Sequence, residues 1–478
     1  SSSSSSSSSS LSSSCLAFHP GSFPSAFSHD RSLTTTRRSA RSLQASSPSL
    51  CNWHELKSRP TALVATILRL GLTPDSDDTR VYNNTPAEAL SDKVDTNQQC
   101  TATGMCTCPG IFDVIATSNM TAITESTEAQ RVFHGRGGMY RGCEHLALDW
   151  FHPVWVLTSF STLEEDSIQS IQSALKDHCH RHGCCLNEHA EVSSIELDNT
   201  DANYSNVTLP PITADTFNFV YQCRSTGSSA ASNTLREGAV PRQHTVTENG
   251  LKYEVRLLQG QNQGIFLDMA NGRRWVQDNA NNQIVLNLFA YTCAFSVAAL
   301  AGGAYQVVNM DMAKGALKIG QRNHEMNHDA FCEAAASGDN GANDPYHSSQ
   351  VKFFAHDIFK SWGKIKRLGP YDRILVDPPS FQKGSFVAKK DYGKVIRRLP
   401  SLLLPSTNSK AMLCLNAPEL SVTFLQELVR EEAPELEFAG QIENPLSFLS
   451  IDPDRALKVL LYQMKADCID DEDYEHSS

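Results

Sequence analysis

The chain has 478 residues, 14 cysteines and a formal net charge of −12 at pH 7, a length for about three domains. Taken globally, the acidic balance speaks against a polyanion as partner, so charge has to be read locally. Irregular cysteine spacing in a chain long enough for a large core speaks against a secreted disulfide framework and for reduced thiols.

Residues 1–95 read as a leader and not as a domain. Ten serines open the chain, the stretch to Leu50 is Ser-rich with Arg31, Arg37, Arg38 and Arg41, and Asp30 is its only acid. This composition matches the transit peptide of a chloroplast or mitochondrion better than a secretory signal with an apolar core. A low-complexity leader without an address, on a cytoplasmic protein, is the other reading. Two thiol clusters follow, Cys100, Cys106 and Cys108, then Cys179, His180, His182, Cys184, Cys185 and His189. Neither has the paired C-x-x-C spacing of a zinc ribbon, and no metal site is assigned.

A small α+β module is expected over 127–235. Trp155–Phe160 suits a strand and Glu164–His178 an amphipathic helix, and a Ser/Asn/Thr-rich stretch near 199–232 closes the module. Ahead of them, His134-Gly135-Arg136-Gly137-Gly138 reads either as an anion-binding nest or as a tight connecting turn.

The most informative stretch is Ile284–Asp311, IVLNLFAYTCAFSVAALAGGAYQVVNMD, with no charged residue between Asp278 and Asp311. A membrane span is the plain alternative, but Asn287, Thr292, Ser296 and Gly302-Gly303 interrupt the run, and the β-branched residues gather at its ends. The spacing predicts a strand over Ile284–Phe289, a small-residue helix over Phe295–Ala301 and a strand over Tyr305–Met310. In such a βαβ unit a ligand sits beyond the carboxyl ends of the strands, and an acid there, Asp311, binds ribose hydroxyls. The turn Ala290–Ala294 is not the glycine cradle of a pyrophosphate. A cofactor with ribose and no phosphate fits better, and S-adenosylmethionine is the common one.

Farther on, Arg373–Val376 is an apolar strand running into Asp377-Pro378-Pro379-Ser380-Phe381. The prolines end the strand and stiffen the loop. Asp377 and nearby carbonyls, that of Pro378 included, become acceptors at the strand's carboxyl end, with Phe381 able to stack on a planar base. From Lys352 to Arg398 twelve Lys and Arg stand against four Asp, a net of +8. Lys389-Lys390 and Arg397-Arg398 sit where a nucleic-acid backbone would approach, or form a solvated helix face. The tail 466–478 is acidic.

With these motifs the chain resembles the class I S-adenosylmethionine-dependent methyltransferases of the RlmI/RlmK type, which act on large-subunit ribosomal RNA. The carriers are Gly260–Met269, Leu286–Ala304, Asn309–Asp311, His356–Phe359 and Asp377–Phe381, and their order and spacing make the match specific. Arg131–Phe151 is similar to the N-terminal portion of one bacterial branch. The resemblance implies an α/β fold with a seven-stranded Rossmann-like methyltransferase sheet over 245–465, behind the smaller α+β domain. It places Phe289, Tyr291, Thr292 and Ala294 at the methionine and sulfonium end of the cofactor. Asp311 would meet the ribose and Asp357 the adenine amino group, with Asp268 closing over them. Ala294 departs from the family's glycine, and its Cβ would stand where the turn passes closest to the cofactor.

Methylation of a ring or exocyclic nitrogen needs Asp377, Pro378 and Phe381 to hold the base. Methylation of cytosine carbon-5 needs a cysteine thiolate that adds to the ring. Cys414 stands where the cytosine-methylating relatives carry that nucleophile, yet Leu415-Asn416-Ala417-Pro418 after it is closer to the guanine-N7 relatives. Cys414 as a buried strand residue is the competing reading. The expected activity is methylation of a base of ribosomal RNA, with no membrane involved. A methyltransferase of protein or small molecules and a non-catalytic cofactor-binding protein are the alternatives.

Overall fold

The computed structural model describes residues 108–117, 119–182, 216–224, 232–337, 351–382 and 386–469. Residues 1–95, expected as a leader, Cys100 and Cys106, the 184–189 part of the second thiol cluster, most of the Ser/Asn/Thr-rich stretch and the tail beyond 469 lie outside them. The chain divides at Thr73/Pro74, and all described residues belong to the second unit.

The first module carries a five-stranded sheet, ordered β1 (Gln130–His134), β2 (Leu146–Phe151), β3 (Val154–Ser159), β4 (Asn218–Cys223), β5 (Ser232–Glu237). The helix Glu165–Arg181 separates β3 from β4, which pair in parallel as a crossover demands. The strand and helix expected from periodicity are both present, each displaced by one to three residues. Two helices that the sequence reading missed, Pro109–Ala116 and Asn119–Glu125, precede the sheet. Their Ile111, Ile115 and Met120 pack with Phe133, Trp155, Leu157, Ile171 and Leu175. Cys108 belongs to this core, at 3% exposure.

Side chains alternate across the strands. Trp155 and Leu157 of β3 face the helices. Val154, Val156 and Val220 face the other way, into a cluster with Val246, Tyr253 and Val255 that continues to Val285, Val297, Leu375, Met412 and Val459. The bridge is a hairpin, β6 (His244–Glu248) and β7 (Leu251–Val255). Its turn Asn249-Gly250 has φ of +51° and +76°, the backbone that an Asn-Gly hairpin favours. Two domains were expected on either side of residue 240, and they share one core.

The second sheet has seven strands in the order β10 (Val351–Ala355), β9 (Gln306–Asp311), β8 (Ile284–Leu288), β11 (Arg373–Val376), β14 (Lys410–Leu415), β16 (Lys458–Met464), β15 (Leu436–Gln441). All run parallel except β16, which is antiparallel to both neighbours. Met412 and Cys414 face the shared core, and Ala411, Leu413 and Leu415 face a second cluster with Tyr371, Tyr392 and Leu425. Burial on both faces explains why these strands read as continuous apolar runs. The 284–311 run folds as strand, loop, helix (Ala294–Ala301) and strand. Among the described residues no helix is long and apolar enough to cross a membrane.

Candidate active site

The strands β10, β9, β8 and β11 are neighbours, and each carboxyl end carries a residue singled out from the sequence. Asp357 lies two residues past β10, Asp311 ends β9, the loop Phe289–Cys293 follows β8, and Asp377 follows β11.

The loop after β8 holds backbone strain. Phe289, Tyr291 and Cys293 have φ of +57°, +48° and +61°, a region that costs a residue with a Cβ about 1 kcal/mol or more. Tertiary hydrogen bonds hold it there. Tyr291 N donates to Asp311 Oδ2 at 2.8 Å, Thr292 Oγ1 to Gly264 O at 2.6 Å, and Asn323 Nδ2 to Thr292 O at 3.0 Å. Asp311 Oδ1 accepts from Ala313 N at 2.7 Å. Two amides thus fix the Asp311 carboxylate and leave acceptor capacity on both oxygens, a set that suits vicinal hydroxyls. Thr292 is 1% exposed with its hydroxyl engaged, so what it offers a ligand is backbone. Tyr291 and Ala294 are half-buried. Burial pushes the Tyr291 phenol up to about 12.

Beneath the loop lies a buried polar chain. Asn287 Nδ2 donates to Asn309 Oδ1 at 2.9 Å, Asn309 Nδ2 to Ser296 Oγ at 2.9 Å, and Ser296 Oγ meets His324 Nε2 at 2.8 Å. Burial lowers His324 to about 4, so the ring is neutral. The polar residues that broke up the apolar run are the ties between β8, β9 and the helices Ala294–Ala301 and Lys314–Met326.

Asp357 Oδ1 accepts from Phe359 N at 2.9 Å and Oδ2 pairs with Lys360 at 3.2 Å. Beside it three rings gather: Phe386 lies 5.2 Å from Phe289 and 6.3 Å from Phe359. Phe386 had no sequence signal beyond its place in the ribbon after the Asp-Pro-Pro turn.

Asp377 and Asp268 form the second half of the site. Burial, then the charge of Asp268, raises Asp377 to about 7, against the pull of Arg273. Asp268 is also raised by burial, and its Oδ2 accepts from Asn416 Nδ2 at 3.3 Å. Arg273, 3% exposed, forks onto Glu248 with two 2.6 Å bonds and donates to Phe266 O. It ties the Asp268 segment to the hairpin. Pro378 is buried, and Phe381 stands 67% exposed on a short ribbon made of β12 (Phe381–Gln382) and β13 (Phe386–Val387). Cys414 is 1% exposed in β14, and burial with the Asp377 and Asp268 charges pushes its thiol well above the usual range. The structure sides with the buried-strand reading, since low dielectric and two carboxylates oppose a thiolate.

Lys389 and Lys390 are exposed at the start of the helix Ala388–Ile396, while Lys394 pairs with Asp391 and Arg397 with Glu432. A cavity of about 630 Å³ opens between the first module and the second sheet, and Asp268, Asn416 and Phe266 share it with Arg131, Arg136, Arg224 and Arg455. Of these arginines Arg131 and Arg136 fall in the Arg131–Phe151 block of the resemblance, and Arg224 and Arg455 carried no sequence signal.

Comparison with known proteins agrees with this architecture. Residues 191–463 match the family described as S-adenosylmethionine-dependent methyltransferase. The chain is 29% identical over 212 residues to the ribosomal RNA large subunit methyltransferase I of Aeromonas salmonicida, covering 44% of this chain and 49% of that protein. It is 32% identical over 175 residues to the ribosomal RNA large subunit methyltransferase K/L of Psychrobacter cryohalolentis, covering 36% and 20%. It thus spans about half or less of these relatives. A solved Streptococcus mutans protein described as an S-adenosylmethionine-dependent methyltransferase superposes with a TM-score of 0.55 at 20% identity, covering 75% of this chain and 81% of that one. At that identity the likeness speaks for the fold.

Proposed function

The chain belongs to the S-adenosylmethionine-dependent methyltransferase family, and from that premise we propose that it methylates a nucleobase of RNA, with ribosomal RNA as the class its relatives' names supply. The observation that carries the proposal is the convergence of Asp311, Asp357, the strained 289–293 loop and Asp377 on adjacent strand ends, beside a cavity that reaches Asp268.

The residues present suit the cofactor. Asp311 would hold the ribose, Asp357 and the Phe289, Phe359 and Phe386 rings the adenine end, and Tyr291, Thr292 and Ala294 the methionine end. The absence of lysine and arginine from 279–310 suits a ligand without phosphate. When bound, S-adenosylmethionine supplies an electrophilic methyl group. The protein's own part is alignment of a nucleophile, which carries most of the catalysis in such transfers. Asp377 in its ionised form accepts an N–H of the base, the Pro378 carbonyl takes a second, and Phe381 covers the ring. Nitrogen is the favoured target, because the carbon-5 route needs a thiolate where Cys414 is held as a thiol. The Ser- and Arg-rich leader makes an organelle the proposed compartment.

Calorimetric titration with S-adenosylmethionine should show binding that Asp311→Ala abolishes. Transfer of labelled methyl groups to ribosomal RNA should fall about 100-fold or more in Asp377→Ala, with cofactor affinity nearly unchanged. An active Asp377→Ala enzyme would remove Asp377 from the proposed chemistry, and a folded wild type that binds no cofactor would overturn the proposed activity, with the Ala294 Cβ as the obstruction.

A further inference from the structure

The glycine turn that the sequence left open between nest and connector is a docking turn that presents an arginine. A Cβ on Gly137 would stand 2.0 Å from Leu449 O, and Gly137 O accepts from Ile451 N at 2.9 Å. The turn is therefore locked onto the 445–451 loop of the second sheet's domain, and Arg136 between its glycines faces the 630 Å³ cavity.

The four arginines of that cavity divide into two kinds. Arg131 is held by Asp149, with Nη2 to Oδ2 at 3.1 Å, and by His134 Nδ1 at 2.9 Å. Arg224 is held by Gln222 Oε1 at 2.7 Å and by Gln261 O. The guanidinium groups of Arg136 and Arg455 have no ion pair or hydrogen bond among the described residues, though the Arg455 backbone N donates to Asp452 O at 3.1 Å. Arg136 lies over the Phe160 ring at 4.4 Å, with Arg224 5.8 Å from the same ring. Of the acids in the lining, Asp149 is paired with Arg131, Glu144 accepts from Gly142 N, Asp452 caps Asp454 N, and Asp268 accepts from Asn416 Nδ2. Two guanidiniums from two modules thus line one void together with the Asp268 carboxyl and the Asn416 amide, and the charge of Asp268 acts on Arg136.

We propose that Arg136 and Arg455, backed by Arg131 and Arg224, form a phosphate-binding subsite that grips the RNA backbone beside the target nucleotide while Asp268 and Asn416 face its base. The inference rests on the RNA reading above and adds the place of contact. Guanidinium forks match phosphate oxygens two at a time, and an anion between Arg136 and Arg455 relieves the repulsion of two like charges. At about 630 Å³ the void has room for a nucleotide, and its lining holds guanidiniums for a phosphate together with carboxyl and amide groups for a base.

The test measures binding of nucleoside monophosphates and of a short labelled single-stranded RNA to wild type, Arg136→Gln, Arg455→Gln and, as a charge control, the exposed Arg274→Gln. Cofactor titration of each variant serves as the fold check. Expected are losses of tenfold or more for both ligands in Arg136→Gln and Arg455→Gln, a salt slope for RNA shallower by about one, and Arg274→Gln within twofold of wild type. RNA binding that does not depend on Arg136 would overturn the subsite and leave the RNA reading standing. Arg136-dependent binding of monophosphates with no binding of RNA would keep the subsite and sink the RNA reading. Loss of cofactor binding in Arg136→Gln, or Arg136-dependent capture of polyglutamate without capture of monophosphates, would each overturn the proposal.

Discussion

Asp377 sits half-buried with Asp268 for a neighbour, and the same environment governs its chemistry and its effect on stability. With its ionisation near 7, the form that accepts an N–H of the base accumulates as pH rises through neutrality. The proposed kcat/KM should climb with an apparent pKa near 7, and a profile flat from pH 6 to 8 would contradict the role. Stability runs the other way. The folded-state value lies above the unfolded one of 3.8, so the native state binds more protons between about 4 and 7 and loses stability as pH rises through that window. Asp377→Asn, which cannot ionise, should therefore be the more stable protein at pH 8, by about 4 kcal/mol for the whole shift and about half that once solvent screening of the half-buried carboxylate is counted, with the gap closing below pH 4. Denaturant titrations at the two pH values would read it. The sequence marked this aspartate through the prolines that follow it. It marked neither the burial that raises it most nor Asp268, which adds to the rise, because burial is set by packing and the two carboxylates are more than a hundred residues apart in the chain and meet only through the fold.

At the scale of elements, the loop after β8 shows how strain is kept in place. Three non-glycine residues with positive φ are held by Asp311, Gly264 and Asn323, and the helix Lys314–Met326 closes from behind. That helix approaches so closely that a Cβ on Gly320 would stand 2.5 Å from Cys293 Sγ. Gly320→Ala should cost about 1–3 kcal/mol and weaken cofactor binding by shifting the loop. Adding Cys293→Ala should recover part of both, in thermal melts and in calorimetry. Unchanged cofactor affinity in Gly320→Ala would mean that the loop tolerates displacement. Periodicity exposed the strands β8 and β9 and the helix Ala294–Ala301 to within a residue, since two-sided burial writes itself as apolar runs, while the helix Lys314–Met326 was not foreseen. The handedness of the loop was not legible, because it has none of the glycines that usually announce positive φ.

Across the whole molecule, the two parts are joined through the hairpin β6–β7 by one continuous hydrophobic cluster, from Val154 and Val156 to Met412 and Val459. The described part should therefore unfold in one calorimetric transition, and two well-separated transitions would show that the modules are independent. The sequence by itself determined the strand-loop-helix-strand unit, the acids after β9 and β11 and the family, because these are local patterns in which each residue's type follows from a neighbour in the chain. Tertiary structure alone decided that the modules share a core, that Cys414 is held as a thiol, and that Arg136 and Arg455 face one cavity. Those facts depend on burial and on the distance between groups far apart in the chain, and neither quantity exists until the two sheets pack together.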